Sequence, residues 1–121
     1  MPPLYLDFLK KSFLTTYFIN MKNLNFKVEN FYNKNQFIIS DWENTIFQSY
    51  QSICAIFDWD KLTLGRDWDY SNTTIRHLYR FLRDYVGLSD LSTKVIRKAI
   101  EKGEIWNWYR NYKLIYDWDL K

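Results

Sequence analysis

Hydrophobic and polar residues alternate along the first half of the chain, and this two-residue period is typical of strands with one buried face. Leu24, Phe26 and Val28 alternate with polar residues, and a second apolar run follows at residues 37–39. The polar segment 33–35 between them, Asn-Lys-Asn, has the composition of a turn. The pattern therefore predicts two antiparallel strands joined at residues 33–35.

Two further β-rich runs lie at residues 45–50 and 53–57, and they form either two strands or one long strand. Asp58-Trp59-Asp60-Lys61 then separates the second run from the apolar triplet at residues 62–64. Aspartate favours turns because its side chain accepts hydrogen bonds from nearby backbone N–H groups. We therefore expect a hairpin turn at residues 58–61.

The middle of the chain changes to the helical period. Apolar residues from Ile75 to Val86 recur three and four positions apart, which places them on one face of a helix over about residues 72–86. Residues 71–74 carry four side chains that can cap its first turn, and Gly87 is suited to end it. The pattern predicts an amphipathic helix.

A second helix is predicted over residues 92–102, with Ser89-Asp90 or Ser92 as its cap and Gly103 at its end. The aromatic tail alternates again, which predicts a final strand or a hairpin with Arg110-Asn111 as its turn. Together these elements predict an α+β fold. A small antiparallel sheet, built from the N-terminal strands and the C-terminal strand or hairpin, packs with the two helices.

A chain of 121 residues is long enough for one domain with one modest core. Met21-Lys22-Asn23 resembles a natural start, so we expect residues 1–20 to be a dispensable extension and residues 21–121 to be the domain. The single cysteine, Cys54, excludes an internal disulfide and fits a reducing cytosol. No apolar run reaches the length of a membrane span.

Four of the six tryptophans stand between two carboxylates. Asp-Trp-Asp occurs at residues 58–60, 67–69 and 117–119, and Asp41-Trp42-Glu43 is a near copy. A hairpin turn explains the acids of the first copy and the helix dipole those of the second, but neither explains the tryptophans. We therefore predict an acidic, aromatic surface that binds a partner. Its residues are Asp58, Trp59, Asp60, Asp67, Trp68 and Asp69.

Basic residues dominate the second half of the chain, since residues 76–113 carry nine bases against four acids. They share one face of each predicted helix and predict binding of nucleic acid or of an acidic partner, with a solvated face as the plain alternative. Two helices joined by a short turn are also the outline of a helix-turn-helix, with the aromatic tail as a wing. The basic residues are Arg76, Arg80, Arg83, Lys94, Arg97, Lys98 and Lys102.

Few residues are suited to catalysis. His77 is the only histidine and lies within a predicted helix, and Cys54 lies in an apolar run typical of a buried, inert thiol. The acid pairs at residues 58/60 and 67/69 have the chemistry to bind Mg²⁺ or Ca²⁺, but acid pairs at turns are more often solvated or capping. The sequence therefore predicts a protein without enzymatic activity, cofactor or metal.

The segment from Trp68 to Leu82 reads Trp-Asp-Tyr-Ser-Asn-Thr-Thr-Ile-Arg-His-Leu-Tyr-Arg-Phe-Leu. With Ser49-Tyr50, Ile56 and Leu62-Thr63-Leu64 before it, this segment resembles a family of small proteins of unknown function from phages and mobile elements of Gram-positive bacteria. The resemblance covers about a third of the chain. It implies a hairpin that leads into a helix, and a phage or mobile-element setting.

Phage proteins of this size without an enzyme motif are often inhibitors of host defence, and anti-CRISPR proteins are a well-populated class of them. By this analogy we expect a non-enzymatic inhibitor that binds a type II RNA-guided nuclease with its guide RNA and blocks DNA recognition. The alternatives are a nucleic-acid-binding phage regulator and a structural or assembly protein. We expect a location in the cytoplasm of the bacterial host and no membrane partner.

Overall fold

The computed structural model describes residues 26–121, and within them the fold is α+β, as predicted. One face of a seven-stranded sheet is covered by two helices. The sheet order is β1-β2-β3-β4-β5-β7-β6. The strands are β1 (Lys27–Phe31), β2 (Asn33–Ser40), β3 (Thr45–Ser49), β4 (Ser52–Phe57), β5 (Lys61–Gly65), β6 (Glu104–Trp106) and β7 (Asn111–Asp117).

Strands β1 to β5 form an antiparallel meander, and β6 and β7 form an antiparallel hairpin at the other edge. The two parts join through β5 and β7, which run parallel, with Lys61 beside Lys113 and Gly65 beside Asp117. The sheet is therefore mixed and larger than the small antiparallel sheet that the sequence predicts. A parallel pair requires a long crossover, and the two helices lie in that crossover.

Helix α1 spans Asn72–Phe81 and continues as a π-helical turn over Leu82–Val86, in agreement with the predicted helix at 72–86. The Ser71 side chain accepts a hydrogen bond from the Thr74 N–H, and Gly87 ends the helix in the left-handed region with φ 80°.

Helix α2 spans Thr93–Lys102. Of the two predicted caps, Ser92 is the one used, because its side chain accepts from the Val95 N–H at 3.2 Å. Gly103 ends the helix with φ 75°, as predicted.

The main core lies between the helices and one face of the sheet. Cross-strand neighbours such as Ile38 and Phe47 point toward the helices, and the Phe47 ring stacks on Phe81 of α1 at 5.7 Å. Tyr112 of β7 meets Phe57 edge-on at 5.3 Å, so the C-terminal hairpin shares this core. A smaller apolar cluster lies on the opposite face around Ile46, Ile56 and Leu120.

Three local predictions were wrong or incomplete. Residues 33–35 are not a turn: they begin β2, and the chain reverses one residue earlier at Tyr32, whose φ is 70°. The stretch 45–57 is two strands with a turn at Tyr50-Gln51 rather than one strand. The C-terminal hairpin turns at residues 107–110 rather than at Arg110-Asn111.

Gly65, at the end of β5, is required for a close backbone approach. A Cβ atom there would overlap the Ile53 carbonyl oxygen and lie 2.8 Å from that of Leu120. The Arg66 N–H donates to the same Leu120 carbonyl at 2.8 Å, which fastens the C-terminus beside β5.

The predicted strand residue Leu24 and the predicted extension 1–20 lie outside the described residues. In the part of the chain from residue 26 onward, neither helix has the length and apolar character of a membrane span.

Candidate interaction surface

Three turns of the sheet share one hydrogen-bonding design. In each four-residue turn, Oδ1 of the first residue accepts from the backbone N–H groups of the third and fourth residues, at 2.7–3.1 Å. The N–H of the first residue donates to the carbonyl of the fourth at 2.9–3.1 Å. The turns are Asp41-Trp42-Glu43-Asn44, Asp58-Trp59-Asp60-Lys61 and Asn107-Trp108-Tyr109-Arg110.

The second residue of each turn is a tryptophan exposed to solvent. Trp42 is 80% exposed, Trp59 is 62% exposed and Trp108 is 88% exposed. Trp59 also adopts φ 82°, a left-handed conformation that bulky residues rarely take. The first side chain makes the bonds that close each turn, so the turn itself does not require a tryptophan.

All three turns lie at the same end of the sheet. Strands β2, β4 and β6 run toward this end, and β3, β5 and β7 run away from it. Neighbouring turns are two strands apart, so their tryptophans are spaced by about 10 Å. We call the surface formed by residues 41–44, 58–61 and 107–110 the tryptophan end.

The acids of the tryptophan end have different surroundings. Asp58 is buried, and its Oδ2 lies 3.9 Å from the Lys61 ammonium. Asp60 is exposed and accepts from Arg110 of the neighbouring turn at 2.6 Å. Within residues 26–121, Oε2 of Glu43 is buried without a hydrogen-bond partner, and so are both amide atoms of Asn44.

Asn107 shows why the third turn begins with an amide rather than a carboxylate. Its Oδ1 closes the turn, while its Nδ2 donates to the Val86 carbonyl at 3.2 Å and to the Tyr112 hydroxyl at 3.3 Å. A carboxylate has no hydrogen to donate to the Val86 carbonyl. The amide therefore ties the turn to the end of the helix.

The second Asp-Trp-Asp copy lies at the opposite end of β5, and its tryptophan is buried. Trp68 is only 3% exposed. Asp67 accepts from the Ser52 hydroxyl at 2.8 Å, and Asp69 pairs with Arg97 at 2.9 Å. The five residues of β5 span roughly 17 Å, so the acids at 58/60 and 67/69 do not form the single acidic surface that the sequence predicts.

The third copy follows β7 at the same end as Trp68. Trp118 is exposed, and the Arg66 guanidinium lies over its ring at 5.2 Å. Asp117 Oδ1 accepts from the Asp119 N–H at 3.0 Å, a local bond like that in the hairpin turns. We call this end, with Tyr32, Tyr50-Gln51, residues 66–71 and Trp118, the motif end.

Residues 19–102 match the model of a family of unknown function, DUF8033. The chain belongs to this family. The match contains the turns at 41–44 and 58–61 and the segment from Trp68 to Leu82. The C-terminal hairpin with Trp108 lies beyond it, so one third of the tryptophan end is outside the DUF8033 region. No curated protein and no solved structure matches the chain.

Within the DUF8033 region, three basic residues of α1 line one groove beside the loop to α2. Arg76, Arg80 and Arg83 face Leu88 and Ser89 across a cavity of about 270 Å³. The structure therefore brings them together, as the helical spacing predicts. Two of them have local partners.

The local partners of these arginines include Tyr32. The Arg80 guanidinium lies over the Tyr32 ring at 4.5 Å. Arg83 pairs with Asp84 at 2.8 Å and donates to the Tyr32 hydroxyl at 2.8 Å. The hydrogen bond from Arg83 lowers the pKa of the Asp84 carboxyl, and the bond from Tyr32 lowers it further.

On the predicted basic face of α2, as on that of α1, some of the bases contact other side chains of the chain. Lys94, Lys98 and Lys102 are exposed, whereas Arg97 reaches back across the helix to Asp69 and Trp68. The groups available to a partner are therefore these three lysines and the exposed Arg76 of α1.

Four of the residues that carried the family resemblance, Ser49, Tyr50, Tyr70 and Thr74, line a pocket at the motif end. Its volume is about 640 Å³, and hydroxyl groups of Ser49 and Thr74 meet at its wall, 3.2 Å apart. Burial raises the pKa of the Cys54 thiol to about 12. The His77 Nδ1 lies 2.8 Å from the Thr73 carbonyl oxygen. Within residues 26–121 no cluster of three or more His, Cys, Asp or Glu side chains is arranged to hold a metal.

Sequence reasoning missed Trp108 as part of the site. The prediction rested on tryptophans that stand between two carboxylates, whereas the third turn begins with Asn107 and ends with Arg110. The signal that would have found it is broader: an aspartate or asparagine followed by tryptophan, between two strand-like runs. Asparagine closes such turns as aspartate does, because both offer an oxygen at the same position.

Proposed function

We propose that this protein is a non-enzymatic binding protein that holds a partner protein against its tryptophan end. One observation carries the proposal: three turns with the same hydrogen-bond pattern present Trp42, Trp59 and Trp108 to solvent at one end of the sheet. Tryptophan is enriched among the residues that dominate binding energy at interfaces. A row of three is more than a generic surface needs.

Local structure does not explain the choice of tryptophan. The Asp or Asn side chain closes each turn, and any residue at the second position leaves those bonds intact. At Trp59 the left-handed φ of 82° even favours glycine or asparagine. A bulky ring retained at a disfavoured backbone position supports a role outside the fold.

The chemistry of this end fits a protein partner that presents arginines. Asp60 and Glu43 directly follow the exposed Trp59 and Trp42 in the sequence. Arginine stacks on tryptophan and pairs with carboxylates. RNA-guided nucleases read their short DNA tag with arginines and hold nucleic acid in basic channels. We therefore propose a type II nuclease–guide RNA complex as the partner, and a phage-encoded inhibitor of host defence as the biological role.

The surroundings of Cys54 and His77 support a binding role. A thiol with a pKa raised to about 12 by burial is protonated at neutral pH and is a poor nucleophile. The two ring nitrogens of His77 face the Thr73 carbonyl and the Asn33 amide, and the ring is buried. These surroundings favour binding over catalysis by either residue.

The test is inhibition of DNA cleavage by a purified type II nuclease–guide complex. We expect the wild-type protein to inhibit, and the triple variant Trp42→Ala, Trp59→Ala, Trp108→Ala to lose inhibition. Trp118→Ala is the control, because Trp118 is as exposed as Trp59 but lies at the motif end. Circular dichroism verifies that each variant is folded.

Two results would overturn the proposal in different ways. Absence of binding and inhibition by the wild-type protein removes the nuclease as partner. Full inhibition by the folded triple variant removes the tryptophan end as the binding surface. Light scattering of the wild-type protein alone separates a third case, since a large concentration-dependent mass would favour an assembly protein.

A second candidate function, binding to nucleic acid, is favoured by the exposed bases on the helices. Lys94, Lys98 and Lys102 of α2 and Arg76 of α1 are exposed. If they contact phosphates, DNA affinity falls steeply with salt, and removing one lysine lowers the log–log salt slope by about 1. Fluorescence anisotropy with labelled duplex DNA at several salt concentrations measures this slope, and a flat dependence excludes the candidate.

A further inference from the structure

Four tryptophans of this chain lie between two acids, and the structure shows what each holds. The copies centred on Trp68 and Trp118 each have an arginine over the ring. The copy centred on Trp59 has an arginine on one acid only. Among residues 26–121, no arginine lies over the ring of Trp42. This series indicates what the motif binds.

In the Asp67-Trp68-Asp69 copy, the tryptophan ring and one carboxylate contact the same arginine. The Arg97 guanidinium lies over the Trp68 ring, 5.5 Å from its centre, and donates to Asp69 at 2.9 Å. A planar guanidinium can stack on a ring face while its edge donates to a carboxylate. The neighbouring acid provides the edge contact, and the tryptophan provides the face contact.

The Asp117-Trp118-Asp119 copy repeats the face contact. Parallel pairing of Gly65 with Asp117 places the next residues of both strands side by side, so Arg66 lies over Trp118 at 5.2 Å. Two of the three Asp-Trp-Asp copies therefore hold an arginine of the same chain over the tryptophan.

In the copy at the tryptophan end, an arginine contacts one acid but does not lie over the tryptophan ring. Arg110 donates to Asp60 at 2.6 Å, but its guanidinium lies over Tyr112 at 5.2 Å and not over Trp59. Both members of this ion pair are exposed, and exposed ion pairs contribute little to stability. A partner arginine can therefore replace Arg110 on Asp60 and stack on Trp59.

Beside Trp42 in the sequence, buried polar atoms of Glu43 and Asn44 have no hydrogen-bond partner within residues 26–121. Oε2 of Glu43 is buried and accepts no hydrogen bond within residues 26–121. Asn44, 2% exposed, has neither amide atom paired in that range. Buried polar atoms normally have partners, because an unpaired buried group loses its hydrogen bonds to water without replacement. Trp42, which precedes Glu43 in the sequence, is 80% exposed.

We propose that Trp42 with Glu43 is a guanidinium-binding clamp that takes an arginine side chain from the partner protein, with Trp59 and Asp60 as a second clamp. The inference rests on the proposed function, since it names the chemistry of the partner at the tryptophan end. The arginine stacks on the ring and donates to the carboxylate, as Arg97 does at Trp68 and Asp69. Lysine lacks the planar fork and satisfies only the charge.

The two clamps are about 10 Å apart, because their turns are two strands apart. A peptide in the polyproline II conformation advances about 9 Å in three residues and presents every third side chain on the same face. The probe is therefore a nine-residue peptide, Gly-Gly-Arg three times, and the comparison probe is the same peptide with lysine. The indole N–H resonances of the six tryptophans report binding site by site in a ¹H–¹⁵N spectrum.

We expect the arginine peptide to shift the Trp42 and Trp59 indole resonances and to bind at least about tenfold more tightly than the lysine peptide. Glu43→Gln should remove the preference at Trp42 while Trp42→Phe keeps part of it, because phenylalanine still offers a ring face. Asp119→Asn, beside Trp118 at the motif end, is the matched charge control and should change neither. Equal shifts with both peptides, or an unchanged preference in Glu43→Gln, would overturn the clamp.

Failure of the clamp and failure of the proposed function are distinguishable. If the triple tryptophan variant loses partner binding while Glu43→Gln and Asp60→Asn bind as tightly as wild type, the interface stands and the clamp is wrong. If the arginine peptide binds as expected but no nuclease is inhibited, the clamp stands and the proposed partner is wrong.

Discussion

The same tripeptide, Asp-Trp-Asp, stands at both ends of strand β5 and has opposite environments there. At the tryptophan end, Trp59 occupies the tip of a hairpin and is 62% exposed. At the motif end, Trp68 is 3% exposed, with an arginine from α2 over its ring. The tripeptide can contact an arginine through its ring and its carboxylate, and its place in the fold decides whether that arginine comes from this chain.

The difference has a structural cause. After β5 the chain must leave the sheet and enter α1, so the segment that contains Trp68 passes between the sheet and the helices. After β4 the chain reverses directly into β5, and Trp59 in the turn remains 62% exposed. Burial of Trp68 therefore stabilises the fold, and exposure of Trp59 leaves its ring free for a partner.

The largest expected effect separates these two tryptophans directly. Trp68→Ala should lower the free energy of unfolding by about 3–5 kcal/mol, because it opens a cavity in the core. Trp59→Ala should change it by less than about 0.5 kcal/mol, since the side chain lies on the surface. Urea denaturation of both variants measures the contrast, and equal losses would contradict the assignment of the two ends.

Gly65 tests the close approach on which the motif end depends. Gly65→Ala should cost about 2–3 kcal/mol, because the added methyl overlaps the backbone carbonyls of Ile53 and Leu120 and backbone atoms cannot move aside. The control is Gly103→Ala, where the nearest atom is 3.9 Å away and only the left-handed φ opposes the change, at about 1 kcal/mol. A fully tolerated Gly65→Ala in urea denaturation would show that this approach is not rigid.

The turns of the tryptophan end should respond to the chemistry of their first residue. Asp58→Ala should cost about 1–2 kcal/mol, because two backbone N–H groups lose their acceptor. Asp58→Asn keeps the acceptor and should be milder. Asn107→Asp should be costly, because the Val86 carbonyl then loses its donor. Thermal unfolding ranks the three, and an Asn107→Asp variant as stable as wild type would refute the second role of this amide.

The smallest expected effect is a pH dependence located at the motif end. The pKa of Asp84 is lowered in the folded protein, first by the hydrogen bond from Arg83 and further by that from Tyr32. Its stabilising contribution is therefore present above the unfolded pKa and is lost as the pH falls through the folded pKa. Because the pair is partly exposed, we expect less than about 1 kcal/mol. Asp84→Asn should flatten the acid side of a stability profile, and an unchanged profile would contradict this.

Much of the fold follows from local patterns in the sequence. The glycine ends of both helices were predicted at Gly87 and Gly103, and the observed caps, Ser71 and Ser92, are among the candidates that the sequence offers, because all four act through bonds within their own turns. The hairpin at residues 58–61 was predicted for the same reason, since Asp58 bonds to the backbone two and three residues ahead.

Positions that depend on distant pairing were the ones missed. Residues 33–35 carry the composition of a turn, yet Asn33 pairs with Phe31 and begins β2 because the chain already reverses at Tyr32. The parallel pairing of β5 with β7 has no local signal at all. The binding roles of the acidic and basic residues, the phage setting and the location in the cytoplasm remain predictions.

Local patterns in the sequence predict most of the helices and strands and the candidate caps, and they show that tryptophans recur beside acids. Only the tertiary structure decided which tryptophans are available. It buries Trp68, places the Arg66 guanidinium over the exposed ring of Trp118, and places Trp42, Trp59 and Trp108 at one end of the sheet. The physical reason is that hydrogen bonds within a turn depend on neighbouring residues. Burial depends instead on which strands pair and which face the helices cover.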